Sequence, residues 1–284
     1  MLDKKIYDSF DDNAWCPGCG NFGIINSLKG ALAELKLKPE NIILVSGIGQ
    51  AAKTPHYVNS NVFNGLHGRA IPPAFGAKVA NKDMEVIVTS GDGDMYGEGG
   101  NHLMHNIRRN IDITCLVHNN QIYGLTKGQG SPTTEVCQVT SLQPDGVRVS
   151  AFNPISFAVS QKIGFVGRSF SGDPEHLKEM IKQAINHKGF ALLDILQPCV
   201  SFNKVNTAKW YKERIYKLDE SHDPTDIESA FKKSLEFGDD GIPIGVIYKN
   251  PSRNSFLENH DEFEPLVERE WNPLDAEKFL KDFK

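Results

Sequence analysis

The sequence has no apolar run near the ~20 residues needed to cross a bilayer. Its opening stretch, MLDKKIYDSFDDN, lacks the apolar core of a secretory signal. No membrane partner and a cytoplasmic location are the expectation. Internal repeats and low-complexity tracts are missing too, which excludes a solenoid. There is no basic surplus. Acidic and basic side chains are equal in number over residues 1–200, and the formal net charge of −5 arises wholly after residue 200. That excludes the electrostatic footprint of a nucleic-acid binder, and the acidic excess reads as a solvated face. Five cysteines without a secretory context do not make a disulfide framework.

What remains is ordinary globular composition, with 39% hydrophobic and 24% charged residues in a chain of 284. That length suits one large α/β domain with a modest appendage. Four short β-branched runs each end in a polar or glycine-rich turn: residues 42–46 before GIG, 85–90 before GDG, 113–118 before Asn-Asn, and 191–196 before Gln-Pro-Cys. Such runs suit strands buried on both faces of a parallel sheet. Helix-like patterns cover residues 22–36, 99–109 and 174–187. The alternation predicts an α/β fold with a doubly wound, mainly parallel sheet over residues 1–205. Residues 206–284 form a C-terminal extension, with one more helix at 226–237, one more strand at 242–248, and a tail that packs or covers a partner.

Functional groups in open parallel sheets gather beyond the carboxyl ends of the strands. All four turn motifs fall there. Gly91-Asp92-Gly93-Asp94 and Asn119-Asn120 carry readable chemistry. Glycine on each side of Asp92 lets backbone approach a phosphate. Asp92 presents a carboxylate to a hard cation, Asn120 adds an amide oxygen, and the Ile122 carbonyl adds a third. Two phosphate oxygens and a water would complete six ligands, which suits Mg²⁺ on a diphosphate. A helix starting near Tyr96 would aim its amides at the same anion. Either motif alone reads as a plain turn.

Together they resemble the GDG…NN fingerprint of thiamine diphosphate enzymes. The flanks sharpen the resemblance: WCPGCGNFG (15–23), SGIGQAAKTPHY (46–57), LHGRAIPPAFGAKVAN (66–81), SGDGDMYGEGGNH (90–102), HNNQIYGLTKGQGSPTT (118–134) and LQPCVSFN (196–203). In this order they resemble the β subunit of the 2-oxoacid:ferredoxin oxidoreductases over residues 13–205. That resemblance implies oxidative decarboxylation of a 2-oxoacid to an acyl-CoA, with electrons leaving through iron–sulfur centres to ferredoxin. It implies an α subunit that supplies the other half of the site, a heterotetramer of two α and two β chains, and no activity for this chain alone. By motif, Asp92, Asn120 and Ile122 resemble the Mg²⁺ ligands. Ile48, Gly49, Gln50, Ala51, Gly91, Gly93, Asp94, Gly124 and Leu125 resemble cofactor contacts. His67 and Arg69 fall on the diphosphate or substrate side, and Lys53 and Lys127 resemble residues that hold the substrate carboxylate.

The family pattern holds a [4Fe–4S] cluster on four cysteines, in WCxGCG, GIGC and a late PC. Here Cys16, Cys19 and Cys199 match, and Gln50 stands at the fourth place. Such clusters are normally held by four thiolates. Four outcomes are open: a cluster completed by Gln50 or solvent, a [3Fe–4S] centre, another ligand such as Cys137 or a partner residue, or loss of the cluster. The alternative function is a non-redox thiamine diphosphate decarboxylase or synthase subunit. Cys115, inside an expected strand, reads as core. The substrate is not legible; pyruvate and 2-oxoglutarate are the commonest in the group.

Overall fold

The computed structural model describes residues 2–260, 264–270, 277, 280 and 281. Part of the expected C-terminal tail therefore lies outside the described residues. The strands are β1 (Ile42–Ser46), β2 (Asn61–Asn64), β3 (Glu85–Gly91), β4 (Thr114–Asn119), β5 (Phe165–Phe170), β6 (Ala191–Leu196), β7 (Ile215–Lys217) and β8 (Ile242–Lys249). They form one sheet in the order β2-β1-β3-β4-β6-β5-β8-β7. Neighbours run parallel throughout, except that β8 lies antiparallel to β5. The α/β, mainly parallel expectation is met. The four strands expected from their turn motifs are β1, β3, β4 and β6, and they are contiguous at the centre of the sheet. Their carboxyl ends, with GIG, GDG, Asn-Asn and Gln-Pro-Cys, consequently share one edge.

The helices are α1 (Asn21–Glu34), α2 (Ile71–Ala80), α3 (Gly100–Arg109), α4 (Pro154–Ser160), α5 (Pro174–Asn186), α6 (Ala208–Lys212) and α7 (Ile227–Leu235). They cover both faces, because side chains alternate along each buried strand. Val86, Val88, Cys115 and Val117 point to one face and pack with Ile71 of α2, Leu103 and Ile107 of α3, Ile155 of α4 and Ala230 of α7. Ile87, Leu116 and Leu193 point to the other and pack with Ile24 and Leu28 of α1 and Leu177 and Ile181 of α5. Cys115 is a core residue whose thiol pKa is driven upward by burial. Among the described residues no helix is long and apolar enough to cross a membrane.

Three features differ from the sequence expectation. The helix expected near Tyr96 begins at Gly93, directly after Asp92, as a wide helical turn over Gly93–Glu98. Its amides reach back five residues, Gly99 N–H to the Asp94 carbonyl at 2.9 Å, before α3 takes over. Strand β5 is missed by hydrophobic patterning because its sequence is FVGRSF. Its Arg168 is tolerated because Asp194 of β6 sits directly across in register, with Nε–Oδ2 3.8 Å. Strand β2 is missed because it lies at the sheet edge, and all four of its residues are exposed.

Glu85 opens β3 at the opposite end of the sheet from the turn motifs. Burial pushes its carboxyl up from 4.5 to about 7, with nearby Lys78 opposing and Asp112 adding to the rise. The folded state therefore favours the proton more than the unfolded chain does. Its stabilising contribution is complete below about pH 4.5 and is lost as pH rises through 7. Glu85→Gln removes that loss. Thermal melts should show a gain of several degrees at pH 8, at about 2–4 °C per kcal/mol. The gain should shrink to nothing near pH 4.5, and a gain independent of pH would contradict this assignment.

Candidate functional site

Asp92 leaves the end of β3 and is 1% exposed. Its Oδ2 accepts hydrogen bonds from Ser131 Oγ at 2.5 Å and Thr133 Oγ1 at 2.6 Å. Its Oδ1 meets only the Asn120 amide, at 3.4 Å. One oxygen is thus saturated by hydroxyls and the other is left with acceptor capacity. Burial pushes this carboxyl up to about 6, against those hydroxyls, with the negative charge of Asp194 adding to the rise. A cation at Oδ1 would relieve that cost. Asn120 Oδ1 accepts the Ile122 amide at 3.1 Å, an Asx turn that holds Ile122 against Asn120 in the wall of one cleft. This donor set, one carboxylate, one amide oxygen and one carbonyl, fits a hard divalent cation that keeps diphosphate oxygens as further ligands.

Asp94, two residues on, has the opposite fate. Its Oδ1 accepts the Ile48 amide at 3.0 Å and the Gly68 amide at 2.7 Å, and its Oδ2 accepts Ser90 Oγ at 2.6 Å. His67 Nδ1 lies 3.1 Å from Oδ1 and 3.3 Å from Glu98 Oε2. Asp94 therefore ties the GIG loop and the HGR loop to the end of β3. Gly47 is obligatory there: a Cβ would stand 2.1 Å from Asp94 Oδ2. Gly91 has open space where a side chain would be, as close phosphate approach requires. Gly93 does something else. A Cβ would stand 2.2 Å from the Tyr123 ring, so Gly93 makes room for that ring over the turn.

Of the residues singled out in the sequence, Ile48, Gly49, Gln50, Ala51, His67, Gly91, Asp92, Gly93, Asp94, Asn120, Ile122, Gly124 and Leu125 line one open cleft, joined by Tyr123 and Thr126. Lys53, Arg69 and Lys127 stand on segments bordering the cleft and do not line it. Sequence reasoning missed Ser131 and Thr133, the hydroxyls on Asp92, although their run SPTT closes the motif that begins at Asn-Asn. It also missed Gln121, whose left-handed backbone (φ 57°) is held by side-chain bonds: Nε2 to the Thr133 carbonyl at 2.9 Å, and Oε1 from Tyr211 OH at 2.7 Å. Tyr211 belongs to α6, so the C-terminal extension props the site from behind.

The segment before α1 crosses over the same edge of the sheet. Trp15 Nε1 donates to the Gln50 carbonyl at 2.8 Å, and the Trp15 ring packs edge-on against Tyr57 and Phe22. This places Cys16 and Cys19 beside Cys199, close enough for all three thiols to interact. Burial raises the Cys19 pKa, and the charges of Cys199 and Cys16 raise it further. Each sulfur has a hydrogen-bond donor: Gln197 Nε2 to Cys19 at 3.5 Å, Ser201 Oγ to Cys16 at 3.2 Å and the Phe202 amide to Cys199 at 3.4 Å. Donors of this kind accompany metal-bound thiolates. The thiols are neighbours without being drawn together, and among the described residues no three His, Cys, Asp or Glu side chains form a closed metal-binding group. Gln50 turns its side chain into the cofactor cleft beside Gly124, where Oε1 is buried without a hydrogen-bond partner. Cys137 is exposed on the separate loop after Asn120.

Comparison with known proteins places the chain among described families. The family described as thiamine pyrophosphate enzyme, C-terminal TPP binding domain, matches residues 45–195. The family described as the C terminal of the pyruvate ferredoxin oxidoreductase beta subunit matches residues 199–265. The chain is 42% identical to the 2-oxoacid:ferredoxin oxidoreductase 1 subunit beta of Aeropyrum pernix, over 95% of this chain and 92% of that one. It is 43% identical to the corresponding subunit of Saccharolobus solfataricus, over 95% and 96%. The 2-oxoglutarate:ferredoxin oxidoreductase of Magnetococcus marinus, solved with 2-oxoglutarate, coenzyme A and succinyl-CoA, superposes with a TM-score of 0.90 at 34% identity, covering 98% of this chain and 96% of that chain.

Asp94→Asn tests the tie between loops. It turns an acceptor oxygen into a donor facing other donors, which should cost about 2–3 kcal/mol of stability in urea unfolding. Amide exchange at Ile48 and Gly68 should rise more than exchange in the central strands. Uniform loosening would contradict the role given to Asp94.

Proposed function

The chain belongs to the β subunits of the 2-oxoacid:ferredoxin oxidoreductases, and from that premise we propose how its residues serve that reaction. Joined to an α subunit, it oxidatively decarboxylates a 2-oxoacid with coenzyme A. The products are an acyl-CoA and CO₂, and two electrons pass to ferredoxin. The observation that carries this reading is the buried Asp92 carboxylate, saturated at Oδ2 and open at Oδ1 beside Asn120. The solved relative bound to 2-oxoglutarate supports a 2-oxoglutarate-type substrate over pyruvate.

Thiamine diphosphate, when bound, supplies the electron sink for loss of CO₂. Asp92, Asn120 and the Ile122 carbonyl hold its Mg²⁺. Gly91 would admit the diphosphate to the backbone, and the amides at the start of the turn after Asp92 would offer donors to that anion. Ile48, Gly49, Ala51, Gly124 and Leu125 form the cleft wall, and Ile48 and Leu125, 43% and 46% exposed in this chain, present apolar surface that an α subunit would cover to keep water from the reacting end. Arg69, Lys53 and Lys127, on segments bordering the cleft, supply positive charge to a dianionic oxoacid, and His67, held by Asp94 and Glu98, lines the cleft itself. Cys16, Cys19 and Cys199 hold an iron–sulfur centre by three thiolates. Its fourth ligand would be Gln50, solvent, a partner residue or Cys137. Residues 206–284 serve packing and contact between subunits, and the assembly is a heterotetramer of two α and two β chains in the cytoplasm.

Gln50 favours one second reading, a non-redox decarboxylase or synthase, because its side chain serves the cleft and not the thiols. Co-expression with the α partner and purification without oxygen separates the two. The oxidoreductase reading expects about four irons per β chain, with acyl-CoA and reduced ferredoxin formed from 2-oxoglutarate. Aldehyde or a ligation product without reduced ferredoxin would establish the second reading. Asp92→Ala should weaken Mg²⁺-dependent thiamine diphosphate binding by roughly 100-fold in calorimetry, on the scale of losing a charged ligand. Retained binding would remove Asp92 from the site.

A further inference from the structure

A second cavity, of about 200 Å³, lies against β4, β5 and β6 and shares no lining residue with the cofactor cleft. Arg168 of β5 lines it and is 2% exposed. A guanidinium carries five N–H donors, yet Nε and Nη1 of Arg168 have no hydrogen-bond partner. Asp194 Oδ2 stands 3.8 Å from Nε, beyond hydrogen-bond reach. That carboxyl group is already engaged by Tyr96 OH at 2.8 Å and Asn119 Nδ2 at 3.1 Å. Burial lowers the Arg168 pKa, and the charge of Asp194 opposes the fall without cancelling it. Glu135, on the same wall, has a buried Oε1 that accepts no hydrogen bond. Other polar side chains of the wall are used elsewhere: Gln121 by the Thr133 carbonyl and Tyr211, Asn153 by the Ser234 carbonyl and the Ile155 amide. Phe152 and Phe237 supply apolar surface, and exposed Ala151 stands at the rim.

Buried polar atoms left unpaired are costly. Arg168 requires an acceptor and Glu135 requires a donor, so an apolar occupant would strand both. Counted formally, Arg168, Asp194 and Glu135 give the wall one positive and two negative charges, which disfavours a simple anion such as phosphate. Ordered water would meet the hydrogen bonds but not the apolar wall. A zwitterion meets both polar demands with charge-assisted bonds. We propose that this cavity is a binding site for a free α-amino acid with a small apolar side chain, its carboxylate on Arg168, its ammonium on Glu135 and its side chain against Phe152 and Phe237. The site stands apart from the cofactor cleft and does not depend on the function proposed above. Its wall reaches the cation site through Thr133, whose Oγ1 donates to Asp92 Oδ2 at 2.6 Å.

Titration calorimetry of the full chain with L-valine tests this. A saturable heat at one site per chain should appear below about 10 mM. Isovalerate is the same molecule without the ammonium, and isobutylamine is the same molecule without the carboxylate. Each should bind at least roughly tenfold more weakly than L-valine. Glu135→Gln keeps the shape of the side chain and removes its charge, and should weaken L-valine by roughly tenfold at an unchanged melting temperature. Arg168→Met should abolish the heat. Arg168 also faces Asp194, so where that variant does not fold, Glu135→Gln decides alone. Thiamine diphosphate with Mg²⁺ should leave the L-valine stoichiometry unchanged, because the two cavities share no lining residue. Isovalerate or isobutylamine binding as well as L-valine overturns the proposal. So does an equal L-valine affinity in Glu135→Gln, or displacement of L-valine by thiamine diphosphate. Absence of any saturable heat overturns it too, and leaves the cavity as a hydration site for Arg168.

Discussion

Two carboxylates buried two residues apart, Asp92 and Asp94, set the terms for everything at the carboxyl edge of the sheet. Burying a charge is costly unless it is paired or hydrogen-bonded. The chain resolves the two cases differently. Asp94 is satisfied by the protein itself, with two amides, a hydroxyl and an imidazole, and in return it anchors two loops. Asp92 is satisfied on one oxygen only. The same Gly-Asp-Gly-Asp string therefore contains a structural acid and a ligand acid, and the difference lies in which backbone amides reach each one.

The support for Asp92 extends well behind it. Thr133 touches both Asp92 Oδ2 and Asn119 Oδ1, and Asn119 Nδ2 donates to Asp194 at 3.1 Å. Asp194 also accepts from Tyr96 OH at 2.8 Å and faces Arg168, itself stacked against Phe237. Buried polar networks of this kind rigidify a site where their members are paired; the chain from Asp92 to Asp194 is hydrogen-bonded, whereas Arg168 Nε and Nη1 have charge proximity to Asp194 and no hydrogen-bond partner. Here the network runs from β3 through β4 and β6 to β5 and ends on an aromatic ring of the C-terminal extension. The extension thus contributes to the cation site by contact, although it carries no ligand.

The central strands and the cleft were legible in the sequence because each strand ends in a turn whose residue types have few other uses. Glycine beside aspartate, paired asparagines, and proline before cysteine each narrow the chemistry sharply. The edges were less legible. Strand β5 contains glycine, arginine and serine, and becomes a strand only because Asp194 waits across from Arg168. Strand β2 carries Asn61 and Asn64, which local propensity assigns to turns. Their side chains instead bond inward, Asn61 to the Ile42 carbonyl and Asn64 to Ser46 Oγ. The hydroxyls on Asp92 were hidden for a third reason. Ser131 and Thr133 lie on a long loop without periodicity, and only its fold back against Gln121 brings them under the carboxylate.

The outer edge of β2 has a consequence for the life of the polypeptide before assembly. A sheet edge offers a row of unpaired backbone groups, and proteins commonly blunt it with lysine, proline or a bulge. Asn61–Asn64 has none of these, and Val62 and Phe63 are 50% and 47% exposed. A strand of this composition is a template for pairing with another extended chain. At four residues it offers such a chain only a short row of groups, and that brevity is itself the device by which this edge limits pairing between copies.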